Sequence, residues 1–284
     1  MAERNFKELL EAQWDKSNFL CVGLDSEYDK IPDCFKNGKG LSFAISSFSN
    51  LIVANTLELV CAYKINLAFY LSHGPAGLHA LSRIVKFIKE EAPEIPIILD
   101  AKFGDVENTS EAYAKAAFDE IGVDAVTVNP YLGGSALEPF LRRRNKGVFV
   151  LCRTSNPGAV EFQQQQLLWQ EGSELFEFVA RQIKDEWNEN KNCGLVVGAT
   201  NPIDLREVRD IVGDDIPLLL PGVGKQGADL EKAVKAGRNK KNKGIIVNAS
   251  RSIIFASNSK DFAFFARVEA KKLSDEIRDL IKAS

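Results

Sequence analysis

The sequence predicts a (β/α)8 barrel, and three features carry that prediction. Eight short β-branched runs recur along 284 residues, with helical periodicity between them. The runs are apolar throughout, as strands of a parallel sheet covered on both sides must be. Polar residues gather just after each run ends. In a barrel that is the C-terminal rim, where active sites are built.

The runs follow in order. "FLCVGL" at 19–24 leads into Asp25, and "LVCAYKI" at 59–65 carries Lys64 and is followed by Asn66. "IPIILDA" at 95–101 brings Asp100 and Lys102, and "DAVTVN" at 124–129 closes on Asn129. "GVFVLC" at 147–152 precedes "RTSNPG", and "CGLVVGA" at 193–199 is the sixth run. "IPLLLP" at 216–221 runs into "PGVGKQG", and "GIIVNA" at 244–249 into Ser250 and Arg251. Segments such as "AGLHALSRIVKFIKEEA" and "SEAYAKAAFDEIG" supply the helices. An open doubly wound sheet is the alternative assembly of the same units. No linker or repeat divides the chain, so 1–284 reads as one domain, as barrels of roughly 250 residues do. "QQQQ" at 163–166 reads as a polar loop.

Composition excludes several classes. Hydrophobic residues make up 45% and charged residues 26%, enough for a sizeable core. The net charge is −3, from 36 basic and 39 acidic residues, which speaks against a nucleic-acid or membrane-surface protein. The basic clusters "LRRRNKG" and "RNKKNKG" fall just before the fifth and eighth strands, on the opposite rim, and read as solvated loops. Cys21, Cys34, Cys61, Cys152 and Cys193 are odd in number and form no CxxC. They read as free thiols, most of them buried, in a reducing compartment. The start "MAERNFKELL" is too charged for a signal peptide. The longest apolar region is broken by Asn, Glu and Lys, so a cytoplasmic protein is expected.

"PGVGKQG" at 221–227 matches GxGxxG between a strand and a helix, yet a dinucleotide site fails on context. The unit is the seventh, and no acidic residue lies near position 247 to hold a ribose. A phosphate pocket fits better. Barrels build one from the loops after strands seven and eight, where glycines bring N–H groups to an anion and a helix N-terminus adds positive potential. Arg251 can add a bidentate charge.

The chemistry is expected at "ILDAKFGDVENTS", 98–110. Buried charge is costly unless paired. Asp100 and Lys102 are two apart, so both are expected to face the barrel interior, with Lys64 beside Asp100 from the neighbouring strand. Such a Lys–Asp–Lys line pairs every charge. It contains no nucleophile poised by a histidine, and His73 and His79 fall in a loop and a helix. A paired lysine can give up a proton, and a fixed carboxylate disfavours another carboxylate held against it. Together these suggest decarboxylation of a phosphorylated substrate.

"DAKFGDVENT" resembles the D-x-K-x-x-D-[ILV]-x-N-T signature of the orotidine 5′-monophosphate decarboxylases, and "VGLD", "YKIN", "TSNPG", "PGVGKQG" and "SR" occur in that family's order. The resemblance implies a barrel homodimer that makes uridine monophosphate and CO2 in pyrimidine synthesis, without metal or organic cofactor. It implies that Lys102 protonates C6, Asp100 stands against the departing carboxylate, and Lys64 bridges Asp100 to the ribose. Asp105 and Thr109 would reach into the partner subunit's site. Asp25 would hold the ribose hydroxyls with Asn66 as helper, and Ser155 would contact the pyrimidine. Gln226 and Arg251 would grip the phosphate beside Pro221, Gly222, Gly224 and Ser250. Phe103 and Glu107 depart from the family's basic or small residues, which bears on loop packing. The phosphoribosyltransferase fused to some relatives is not expected.

Two other functions fit parts of the pattern. Magnesium-dependent sugar-phosphate decarboxylases and aldolases of the same superfamily share D-x-K-x-x-D, but by resemblance place an acid where this chain has Lys64, and a cation there would repel Mg²⁺. A non-catalytic nucleotide-phosphate binding barrel would need no Lys102.

Overall fold

A computed structural model describes residues 4–36, 38, 40–170, 172–223 and 229–283. Eight parallel strands close into a barrel: β1 (Leu20–Gly23), β2 (Val60–Asn66), β3 (Ile97–Phe103), β4 (Ala125–Val128), β5 (Gly147–Arg153), β6 (Cys193–Val197), β7 (Leu218–Leu220) and β8 (Ile245–Ala249). β1 pairs with both β2 and β8, so the barrel itself has no open strand edge. Every expected strand is present, and the open-sheet alternative is excluded by closure. A helix follows each strand on the outside, from Leu41–Thr56 after β1 to Phe262–Lys282 after β8. No described helix is long and apolar enough to cross a membrane.

The register sets which side chains point inward. Cys21 pairs with Ala62 and Asn248, Gly23 with Lys64 one pleat higher, and Asn66 with Asp100 one pleat above that. The lower interior is apolar. Helix Phe6–Asp15 packs across the N-terminal rim, with the Phe6 amide donating to the Asn145 carbonyl and the Trp14 indole to that of Ile245. Its Phe6 ring meets Phe149 edge-on at 5.6 Å inside β5. Two glycines make room for these rings, Gly147 beneath Phe6 and Gly194 beside Phe149. A Cβ on Gly194 would stand 2.5 Å from the Phe149 ring and 3.0 Å from the Pro217 carbonyl. Gly194→Ala should therefore overpack the barrel centre and cost about 1–3 kcal/mol. Thermal or urea unfolding measures this directly, and an unchanged midpoint would mean that the interior is looser than it looks.

Four cysteines are buried and free, while Cys34 is exposed. Burial pushes Cys21 and Cys193 up to about 12, so neither is a thiolate near neutrality. The basic clusters do lie on the rim opposite the charged strand ends, but they are more than solvated loops. Arg143 pairs with Asp119 at 2.7 Å. Buried Asn239 donates to the Asp214 carbonyl and accepts from the Lys241 and Lys243 amides, pinning the turn before β8.

Candidate active site

The charged side chains meet at the C-terminal rim, in the order in which the barrel presents its strands. Lys64 is 4% exposed. Its Nζ lies 3.3 Å from Asp25 and 3.4 Å from Asp100. The register pairs Lys64 with Ile98 and Asp100 with Asn66, so Lys64 stands one pleat below Asp100 and reaches up to it. Asp100 in turn accepts Lys102 Nζ at 2.5 Å and the Thr127 hydroxyl at 2.9 Å. The order of charges is Asp25, Lys64, Asp100, Lys102, alternating in sign.

Lys102 does not reach Asp100 by simple strand alternation. Between Leu99 and Phe103 the pairing of β3 with β4 slips, so four steps along β3 match two along β4, from Val126 to Val128. Within this bulge Lys102 takes φ +53, a left-handed conformation uncommon for a side-chain-bearing residue. Thr127 holds the bulge by accepting the Lys102 amide at 2.9 Å while donating to Asp100. The lysine ends half-exposed, with its partner carboxylate nearly buried. Thr127 is the member of this network that sequence reasoning missed. A hydroxyl at an inward position of "DAVTVN" was its only signal.

The electrostatics favour full ionisation. Burial alone would drive Lys64 toward its neutral form, but Asp25 and Asp100 outweigh it and raise its pKa above the ordinary lysine value. Burial likewise works against the Asp100 carboxylate. Lys64 and Lys102, with hydrogen bonds from Lys102 and Thr127, nonetheless hold its pKa below normal.

A cavity of about 210 Å³ opens here, lined by Asp25, Lys64, Asn66 and Asp100 on one side and Pro221, Gly222, Ser250 and Arg251 on the other. Asn248 lies between them on β8. Asn66 also caps the short helix Leu67–Leu71 by accepting from the Ala68 amide. Ser250 donates to the Gly23 carbonyl, which ties β8 to β1 below Asp25. Arg251 is exposed, and among the described residues no carboxylate pairs with it. The expected residues Gly224 and Gln226 lie outside the described residues. The helix after that loop, Leu230–Gly237, already has an anion at its N-terminus, because the Asp229 side chain accepts from the Lys232 amide. The helix-terminus contribution expected from sequence is therefore taken up by the chain's own carboxylate.

Lys102, Ser155, Asp105 and Thr109 do not line this cavity, and Lys102 is tied to it only through Asp100. Ser155 sits in the loop after β5, packed so closely on Gly198 that a Cβ there would come within 2.9 Å of it. That loop is held by the glutamine tract. Gln163 accepts from the Thr154 amide at 2.8 Å, and Gln164 accepts from Arg153, whose buried guanidinium pairs with Asp204 at 2.6 Å. The tract read as a plain polar loop is a set of clamps, a role that composition does not reveal. Asp105 and Thr109 lie beyond β3, Thr109 within helix Glu107–Lys115. Asp105 accepts from the Val106 amide, and its own backbone is held by Ser110. Phe103 stacks on Tyr113 with centroids 4.4 Å apart, so the departure at this position is absorbed by aromatic packing.

A larger cavity of about 710 Å³ lies under the loop after β5, lined by residues such as Leu151, Phe162, Phe176 and Trp187, and contains none of the charged row. Chemistry, not size, selects the smaller one. Among the described residues no group of three or more His, Cys, Asp or Glu side chains is arranged to hold a metal ion.

Comparison with known proteins agrees with this architecture. Residues 18–263 match the model of the family described as orotidine 5′-phosphate decarboxylase / HUMPS. A protein of Roseiflexus castenholzii named orotidine 5′-phosphate decarboxylase is 46% identical over 98% of this chain and 99% of its own. One of Ralstonia nicotianae with the same name is 44% identical over 96% and 97%. The structure of Leishmania donovani OMP decarboxylase superposes with a TM-score of 0.85 at 34% identity, covering 99% of this chain and all (100%) of that one. Leishmania donovani UMP synthase gives a TM-score of 0.87 at 35% identity, and the match spans 99% of this chain and 57% of that longer chain. By fold, rim and sequence alike, the chain belongs to the orotidine 5′-phosphate decarboxylase / HUMPS family.

Proposed function

We propose that the chain decarboxylates orotidine 5′-monophosphate to uridine 5′-monophosphate and CO2, acting as one functional unit over residues 1–284. The observation that carries this reading is the alternating row Asp25–Lys64–Asp100–Lys102 at the rim. Asp100 is held ionised, so a substrate carboxylate placed against it meets a fixed negative charge. Loss of CO2 removes that repulsion and leaves an electron pair on C6. Lys102, tethered to Asp100 and half-exposed beside it, gives its proton to C6. Lys64 keeps the two carboxylates from repelling each other and reaches the ribose. Asp25 and Asn66 hold ribose hydroxyls, and Ser155 contacts the pyrimidine. Arg251, Ser250, Pro221 and Gly222, with Gly224 and Gln226, bind the phosphate.

The metal-dependent alternative fits less well. The Lys64 ammonium occupies the space between Asp25 and Asp100 that a divalent ion would need. The test is absorbance loss as purified protein meets orotidine monophosphate in excess chelator. Steady turnover supports the proposal. Activity that chelator abolishes would favour the metal chemistry, and tight binding without turnover a binding protein.

We also propose a homodimer with shared sites. Asp105 and Thr109 stand outside their own cavity, and the neighbouring rim exposes Val106 at 57%, Tyr131 at 71% and Leu132 at 45%.

The phosphate assignment makes a separate prediction. If Arg251 grips the phosphate, Arg251→Ala should cost about 2–4 kcal/mol in kcat/KM. The loss should shrink for the substrate nucleoside, which lacks the contact. Equal losses for both would assign Arg251 to the fold.

A further inference from the structure

Among the described residues, Asn248 is the buried side chain in the cavity whose bonding is unaccounted for. It projects inward from β8, in register with Cys21, and is only 7% exposed. Its carbonyl Oδ1 is buried without a hydrogen-bond partner, and its amide nitrogen has none among the described residues. Oδ1 lies 3.5 Å from where a Cβ on Gly23 would stand, so the carboxamide lies against β1 below Asp25. Buried polar groups are ordinarily bonded, and leaving one unpaired sacrifices stability. A leucine of nearly the same shape would fill the position without that loss. An inward-facing amide left open at a cavity wall is the arrangement expected where the missing partner is a ligand.

We propose that Asn248 is a further substrate-binding residue, hydrogen-bonded to the ribosyl hydroxyl region of the nucleotide. This rests on the decarboxylase reading above. The cavity has an anion-binding side at Arg251 and Ser250, and a reacting side at Asp100 and Lys64. Asn248 lies lower in the same wall, on the strand that leads to Ser250 and Arg251 and next to β1, which leads to Asp25, so around the barrel it stands between the two. The part of a nucleotide that joins its phosphate to its base is the sugar, whose hydroxyls both donate and accept. A carboxamide matches that mixed demand without adding charge beside Asp25 and Asp100.

The test compares ligands as inhibitors of the intact enzyme. Asn248→Ala and Asn248→Leu should weaken uridine 5′-monophosphate and ribose 5-phosphate by the same factor, about tenfold or more. Inorganic phosphate should bind each variant within about twofold of wild type, a readout that general damage to the site would move. Asn248→Leu should also melt at a higher temperature than wild type, because it removes an unpaired buried group. Unchanged nucleotide affinity, or phosphate affinity falling in parallel, overturns the role of Asn248. A leucine variant that melts lower with its affinity intact would make Asn248 structural. If wild-type protein fails to bind uridine monophosphate at all, the decarboxylase reading falls, and this inference with it.

Discussion

Lys102→Ala should lower kcat by about a thousandfold or more while weakening product binding far less. The lysine is the cation nearest the mouth of the charged row, and the proposed mechanism gives C6 no other proton donor. Its removal leaves Asp100 with Lys64 at 3.4 Å and Thr127 at 2.9 Å, so the buried carboxylate keeps partners and the barrel should remain folded. Lys102 is about half-exposed, which also limits its contribution to stability. The phosphate side, built from β7, β8 and Arg251, lies across the cavity and is untouched. Single-turnover rates and equilibrium binding of uridine monophosphate separate the two effects. A variant that keeps a tenth of wild-type kcat would remove Lys102 as the proton donor.

The rest of the row sets the background for that measurement. Lys64 has a raised pKa, so its contribution to stability is complete below the ordinary lysine value of about 10.4 and fades only as pH climbs through the raised one. Asp100 has a depressed pKa, so its contribution is complete above the ordinary aspartate value of about 3.9 and fades as pH falls through the lower one. Between roughly pH 5 and pH 9 neither changes charge, and any slope of kcat there belongs to other groups.

The barrel was legible because each strand had to be apolar on both faces and each rim residue followed it. Residues that conflict with burial, such as Asp100 and Lys64, announced the site for the same reason. The bulge did not announce itself. Alternation alone brings Lys102 and Asp100 to one face, whereas the contact is made through a left-handed lysine that Thr127 secures from another strand. That conformation depends on the pairing of β3 with β4, strands from separate parts of the chain, which no local pattern encodes. The same holds for the glutamine clamps on Arg153 and Thr154, and for Asp229 at the helix after β7. Each is a polar residue whose partner is chosen by tertiary geometry.

A mixture of two inactive variants should regain activity if the sites are shared. Asp105 lies three residues past Lys102, beyond the bulge, with its carboxylate turned to the Val106 amide and away from its own cavity. The proposed dimer gives it work in the neighbouring site. Asp105→Asn and Lys102→Ala homodimers should then both be nearly inactive. In a mixed dimer one site collects both substitutions and the other collects neither. With random exchange, half the dimers are mixed and each carries one intact site of two, so activity should return to about a quarter of wild type. Differently tagged subunits establish that exchange has occurred. Mixed dimers that form without any recovery would mean that Asp105 serves its own subunit, because both sites would then carry one substitution each.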